Sequence, residues 1–261
     1  MWREIGEFFN SVATEFPDCR CILLTGKGKG FCAGIDIFDE KFGNVFQSTN
    51  EIIAGSKNKV DTARTFLSAS GMIRDMQNAF SALEKCPVPV VAAIHGSCIG
   101  GGIDLACAAD IRLCSSDAIF SVMEIKLGLA ADVGTLQRLP KIVGNQSIVR
   151  ELCLTGRNFG AEEAAKIGFV SKCFQSSSIL LKNALELCSA IAKNSPVAIV
   201  GTKKSLIFSR DHTVDEGLEH VAMHNSAALM TDDMKTSLFS ISNEGGPSSP
   251  KFDSLLPLSK L

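Results

Sequence analysis

The sequence predicts an α/β domain, on three observations. Two short apolar stretches, CRCILLTG at residues 19–26 and PVVAAIHG at residues 89–96, read as buried strands. Between and after them, apolar residues recur at helical intervals. No linker of Pro, Gly and Ser divides the chain before the tail, and 261 residues with 46% hydrophobic side chains suffice for one large core.

Taken in order, residues 2–15 place Trp2, Ile5, Phe8 or Phe9 and Val12 at helical spacing, so the chain opens on an amphipathic helix. Residues 19–26 then form a strand that runs into a glycine-rich loop, Gly26 to Gly34. A phosphate-binding reading of that loop is weak. No lysine followed by Ser or Thr completes a Walker motif, and Gly28, Gly30 and Ala33 lack a ribose-binding acid on a second strand. The glycines point instead to tight turns or to backbone lying against a ligand. Residues 37–60 are polar and of mixed pattern, as in an insert that covers a pocket.

Phe66, Ile73, Met76, Phe80 and Leu83 predict a long helix over 61–84, stopped by Cys86-Pro87-Val88-Pro89. The strand at 89–96 leads into Gly100, Gly101 and Gly102, and residues 103–110 read as a helix starting at those glycines. Such a start aims free N–H groups at whatever sits over it. Strands follow at 111–115 and 118–122, then helical segments at 135–144, 145–156 and 161–174, each closed by a turn. Helices at 179–193, 198–208, 214–229 and 233–241 complete the chain. Residues 1–190 are therefore expected to form the core, 191–241 a helical region for oligomer contacts, and 242–261 a flexible tail.

A formal net charge of −2 gives no field that recruits nucleic acid or an anionic membrane. The ten cysteines are dispersed without a CxxC pair, which predicts buried free thiols in a reducing compartment rather than zinc ligands. No apolar run approaches the roughly 18 residues needed to span a bilayer. The chain ends in Ser259, Lys260 and Leu261, a tripeptide read as a peroxisomal address by an import receptor.

The stretch from Ala92 to Pro140 sets three carboxylates, Asp104, Glu124 and Asp132, in apolar surroundings. An unpaired buried charge costs several kcal/mol, so such acids call for a reason. Each has a structural one: Asp104 could cap a helix, Glu124 pair with Lys126, and Asp132 cap a helix starting at Val133. Together over a glycine backbone they could instead move a proton beside a thioester held by two N–H groups. Other chemistry has weaker support. His220 and His224 are four apart but lack an HExxH pattern, so no metal site is expected. Ser97 is not in a GxSxG elbow, and His95 reads as a strand-end histidine.

Residues 30–36 (GFCAGID) and 95–105 (HGSCIGGGIDL) resemble the two signature loops of the enoyl-CoA hydratase/isomerase (crotonase) family. The similarity continues through residues 109–112, 128–140, 154–156, 163–164 and 168–170. It implies a crotonase-like spiral of repeated ββα units with a helical C-terminal trimerisation region, an acyl-CoA substrate, and homotrimers or homohexamers. It also implies a thioester oxyanion hole from the N–H groups of Ile35, after Ala33 and Gly34, and of Gly101. Hydratases of the family have Glu at both acid positions, whereas this chain has Asp104 and Glu124 and adds Asp132. That set resembles the dienoyl-CoA isomerase branch, in which Glu124 would take a proton beside the thioester, Asp132 would protonate the far end of the diene, and Asp104 would support the pocket. No metal is implied, and no cofactor apart from the CoA of the substrate. Peroxisomal fatty-acid oxidation fits the terminal tripeptide, and a longer N-terminal form would add the mitochondrion. Family members carry a β-hairpin and an Asn-Arg-Pro segment ahead of the first helix, so an exposed sheet edge and a reduced CoA pocket are expected here. Hydration of 2-enoyl-CoA, or assembly without activity, is the alternative.

Overall fold

The computed structural model describes residues 1–36, 61–242 and 250–257. The expected insert at 37–60 and the terminal Ser259, Lys260 and Leu261 lie outside the described residues.

At the centre runs β2 (Val90–Ile94), buried at every position. It lies between β1 (Ile22–Thr25) and β4 (Ile111–Ser115), with β7 (Lys172–Phe174) beyond β4, and all four strands are parallel. A strand covered on both faces is apolar throughout, which is why VVAAI shows no alternation. Successive side chains nevertheless point opposite ways. Val91 and Ala93 join Leu113 against Leu180, Ala184 and Cys188 of the helix Ser177–Ala192, while Val90, Ala92 and Ile94 enter the larger core on the other face.

That larger core is roofed by α1 (Trp2–Glu15) and α2 (Thr62–Lys85). Phe9 and Val12 face Met76, Phe80 and Leu83, and the helices approach so closely at Gly6 that a Cβ there would lie 2.8 Å from that of Ala79. Asp61 starts α2 by accepting the Arg64 N–H at 3.0 Å.

A second sheet holds β3 (Ser97–Ile99), β5 (Ile119–Ser121) and β6 (Phe159–Gly160), with β3 and β5 parallel and β6 antiparallel to β5. The chain alternates between the sheets. β2 passes to β3 and then to α3 (Gly101–Ala108), and β4 passes to β5 and then to a 3₁₀ turn, Met123–Leu127. This is the α/β spiral of ββα units that the family resemblance implies.

One expectation is corrected. The helix expected over 161–174 ends at Lys166, as α6 (Ala161–Lys166), and Lys172–Phe174 is strand β7. Leu113, Cys114 and Ser115 of β4 offer an open edge to these residues, and ladder bonds along it outweigh a weak local preference for helix. Between them come α4 (Thr135–Val143) and α5 (Gln146–Thr155), and after β7 come α7 (Ser177–Ala192), α8 (Pro196–Ser209), α9 (Val214–Ala228) and α10 (Asp232–Ser242).

The last three helices are held to the core in part by one ion pair. Lys203, almost fully buried on α8, donates to Asp110 Oδ2 at 2.7 Å and to the Val88 carbonyl at 3.0 Å. Their outer faces carry Leu206, Leu218, Met223, Leu229, Phe239 and Ile241, all exposed. Residues 250–257, in the stretch expected to be a flexible tail, form neither helix nor strand, and the Arg20 guanidinium donates to the Phe252 carbonyl at 2.5 Å. All ten cysteines are free thiols. Among the described residues no helix is long and apolar enough to cross a membrane.

Candidate active site

The glycine-rich loop after β1 lies backbone to backbone against residues 95–102. Phe31 N–H donates to the His95 carbonyl at 2.8 Å, Cys32 N–H to Ser97 at 2.9 Å, and Ile99 N–H to Cys32 at 2.9 Å. A Cβ at Gly30 would lie 2.7 Å from the Ser97 nitrogen, and one at Gly102 would lie 2.9 Å from the Cys32 Cβ. The glycines therefore serve the mutual approach of two chain segments.

Gly100 makes the turn between β3 and α3 at φ 54° and ψ −120°, a conformation open to glycine. Gly101 becomes the first residue of α3, where an N–H has no partner within its own helix. A Cβ at Gly100 would stand 4.0 Å from the Gly34 Cα, so the backbone leading to exposed Ile35 adjoins the turn that carries Gly101. Ala33, in the same loop, is exposed.

Glu124 adjoins the same Gly100 turn, from the 3₁₀ turn that follows β5. Its Oε1 lies 3.4 Å from a Cβ placed on Gly100, and its Oε2 is buried with no hydrogen-bond partner. Burial pushes the carboxyl up to about 7, with the like charges of Asp104 and Asp132 adding to the rise. The alternative partner, Lys126, forms no ion pair with it among the described residues.

Asp104, on α3, is wholly buried. Its Oδ1 accepts the Thr135 N–H at 2.6 Å while Oδ2 has no partner. It therefore caps α4 rather than its own helix. Burial raises its pKa and the Thr135 bond opposes the rise; the charge of Asp132 adds to it and that of Arg138 subtracts. Asp132 is exposed, three residues before Thr135. It does not cap a helix from Val133, because α4 begins at Thr135 with Gly134 at the cap position.

The three acids thus come from a helix, a 3₁₀ turn and a loop to within electrostatic reach of one another, in three environments: buried, half-buried and exposed. This separation suits one group to accept a proton while another supplies one.

Several supporting residues had no sequence signal. Gln77 Nε2, on α2, donates to the Asp132 carbonyl at 2.6 Å. Arg138 lies under Gly134 and is held by Glu84 at 2.9 Å and by Ser81 at 3.1 Å. With Asp132 and Arg210 they line a cleft of about 370 Å³. Only their position in space relates them, so helical periodicity could not have singled them out.

The weaker candidates have ordinary surroundings. His95 Nε2 lies 3.1 Å from the Gly28 carbonyl oxygen, and His220 stacks on Phe208 at 4.2 Å. Among the described residues no group of His, Cys, Asp or Glu could hold a metal ion.

A family model described as enoyl-CoA hydratase/isomerase matches residues 52–245. The chain is 46% identical over 233 residues to a Mus musculus protein named Delta(3,5)-Delta(2,4)-dienoyl-CoA isomerase, mitochondrial, covering 89% of this chain and 68% of that one. It is 45% identical over 218 residues to an Arabidopsis thaliana protein of the same name, peroxisomal, covering 84% and 75%. Among solved structures, enoyl-CoA hydratase from Bacillus anthracis superposes with a TM-score of 0.78 at 25% identity, covering 94% of this chain and 86% of that one. Signature loops, ββα spiral and sequence similarity agree: the chain belongs to the enoyl-CoA hydratase/isomerase family.

Proposed function

We propose that the chain converts 3,5-dienoyl-CoA to 2,4-dienoyl-CoA by a 1,5-proton shuttle. The observation that carries this reading is Glu124, a carboxylate raised to about 7 beside the Gly100 turn, with a second acid, Asp132, exposed nearby. The similarity to named dienoyl-CoA isomerases supports it.

The N–H groups of Ile35 and Gly101 receive the thioester oxygen, where negative charge develops. Glu124 removes a proton from C2, and the electron pair spreads through the two double bonds to C6. Asp132 delivers a proton at C6, leaving double bonds at C2 and C4. One proton is lost and one gained, nothing is oxidised, and no cofactor beyond the CoA of the substrate enters. Glu124 ends protonated and Asp132 ionised, so proton exchange with water resets the pair. Asp104 supports the pocket by holding the start of α4. The ultraviolet absorbance of conjugated 2,4-dienoyl-CoA tests the reading: product is expected from wild type and not from Asp132→Asn. Hydration of 2-enoyl-CoA without isomerisation would overturn it in favour of a hydratase.

The exposed apolar faces of α8 to α10 support self-association into a homotrimer or homohexamer. For location, Ser259, Lys260 and Leu261 favour the peroxisome and its import receptor, as does the name of the peroxisomal Arabidopsis thaliana relative.

A further inference from the structure

The reach of Asp132 toward the distal end of a diene depends on its backbone, because residues 128–134 belong to neither helix nor strand. Three ties hold the C-terminal end of this stretch. The buried Asp104 Oδ1 takes the Thr135 N–H at 2.6 Å. Arg138, bound to Glu84, fills the space beneath Gly134 so closely that a Cβ there would lie 1.9 Å from its Nη1. The third tie is Gln77 Nε2, which donates to the carbonyl of Asp132 itself at 2.6 Å.

The first two ties are buried and belong to the fold. Gln77 differs: it is exposed, next to the inward face of α2 formed by Met76, Ala79, Phe80 and Leu83. Its side chain adds little to the core, and its amide reaches 55 residues along the chain to the one carbonyl that fixes where the Asp132 side chain starts.

We propose that Gln77 is a positioning residue for Asp132, acting on the second proton transfer and not on the first. The proposal rests on the isomerase reading above. A single neutral hydrogen bond adds little to stability, but a small misplacement of a reacting group can cost far more in rate.

The test compares wild type, Gln77→Leu and Gln77→Lys, the last of which restores a donor. Two signals are read on 3,5-dienoyl-CoA: formation of the 2,4-diene by absorbance, and exchange of the C2 hydrogens with D₂O by proton NMR, which requires Glu124 and the thioester donors alone. Gln77→Leu is expected to lose about tenfold in kcat at unchanged KM and unchanged C2 exchange. Gln77→Lys is expected to recover most of the loss, and both variants to melt with wild type. An unchanged kcat for Gln77→Leu would overturn the proposal and leave the isomerase reading standing. A parallel fall in exchange and isomerisation, or failure of Lys to rescue, would also overturn it, since a general loosening affects both steps. Wild type that forms no 2,4-diene would overturn the isomerase reading and this proposal with it.

Discussion

Asp104 Oδ1 accepts the Thr135 N–H at 2.6 Å, so an acid buried on one helix holds the first amide of another. Through that bond the segment carrying Asp132 is fixed relative to the glycine turn at the start of α3. Replacing Asp104 with Ala leaves a buried N–H without a partner, at a cost of about 2 kcal/mol, which lowers Tm by about 5 °C. Asp104→Asn keeps a carbonyl acceptor, so its Tm is expected to fall less. Thermal unfolding of the two variants measures the difference.

In the proposed reaction Glu124 must be ionised to take a proton, and burial holds its carboxyl near 7. Below that pH, kcat/KM for isomerisation is expected to fall about tenfold per pH unit. The charge of Asp104 contributes to the rise. In Asp104→Asn the acidic limb should therefore move to lower pH, as a pH–rate profile of the two proteins will show.

The same group influences stability. An acid whose folded pKa lies near 7, above the 4.5 of an ordinary glutamate, keeps its proton in the fold after the unfolded chain has released it. Its contribution to stability is intact below about 4.5 and is lost as pH rises to about 7. Glu124→Gln removes this loss. The variant should melt above wild type at pH 8 and together with it near pH 4, while isomerisation is abolished.

Lys203 is the buried cation that ties α8 to the core through Asp110 and two carbonyls. Lys203→Met leaves Asp110 without its charged partner, and breaking a buried pair costs about 3 kcal/mol or more. A lower Tm and early proteolytic cleavage after residue 193 are the expected outcomes, detectable by mass spectrometry of limited digests.

Much of the core architecture was legible because it is encoded locally. Residues 22–24 and 90–94 are apolar at successive positions, although β1, at the edge of its sheet, is only half-buried and ends on exposed Thr25, and the buried face of α2 repeats at helical spacing. The three acids stood out by residue type in apolar surroundings. β7 was misread as helix because its strand character comes from the edge of β4, far away in sequence.

What the sequence by itself determined is the class of fold, the course of most strands and helices, the identity of the acids and the glycines that let two loops approach. The tertiary structure alone decided which acid is buried, which is half-buried and which is exposed, and that Asp104, Gln77 and Arg138 converge on the segment around Asp132. Propensity and periodicity act over a few residues. Desolvation and the charges of Asp104 and Asp132 set the proton affinity of Glu124, and hydrogen bonds between residues 31 and 55 positions apart hold the segment around Asp132.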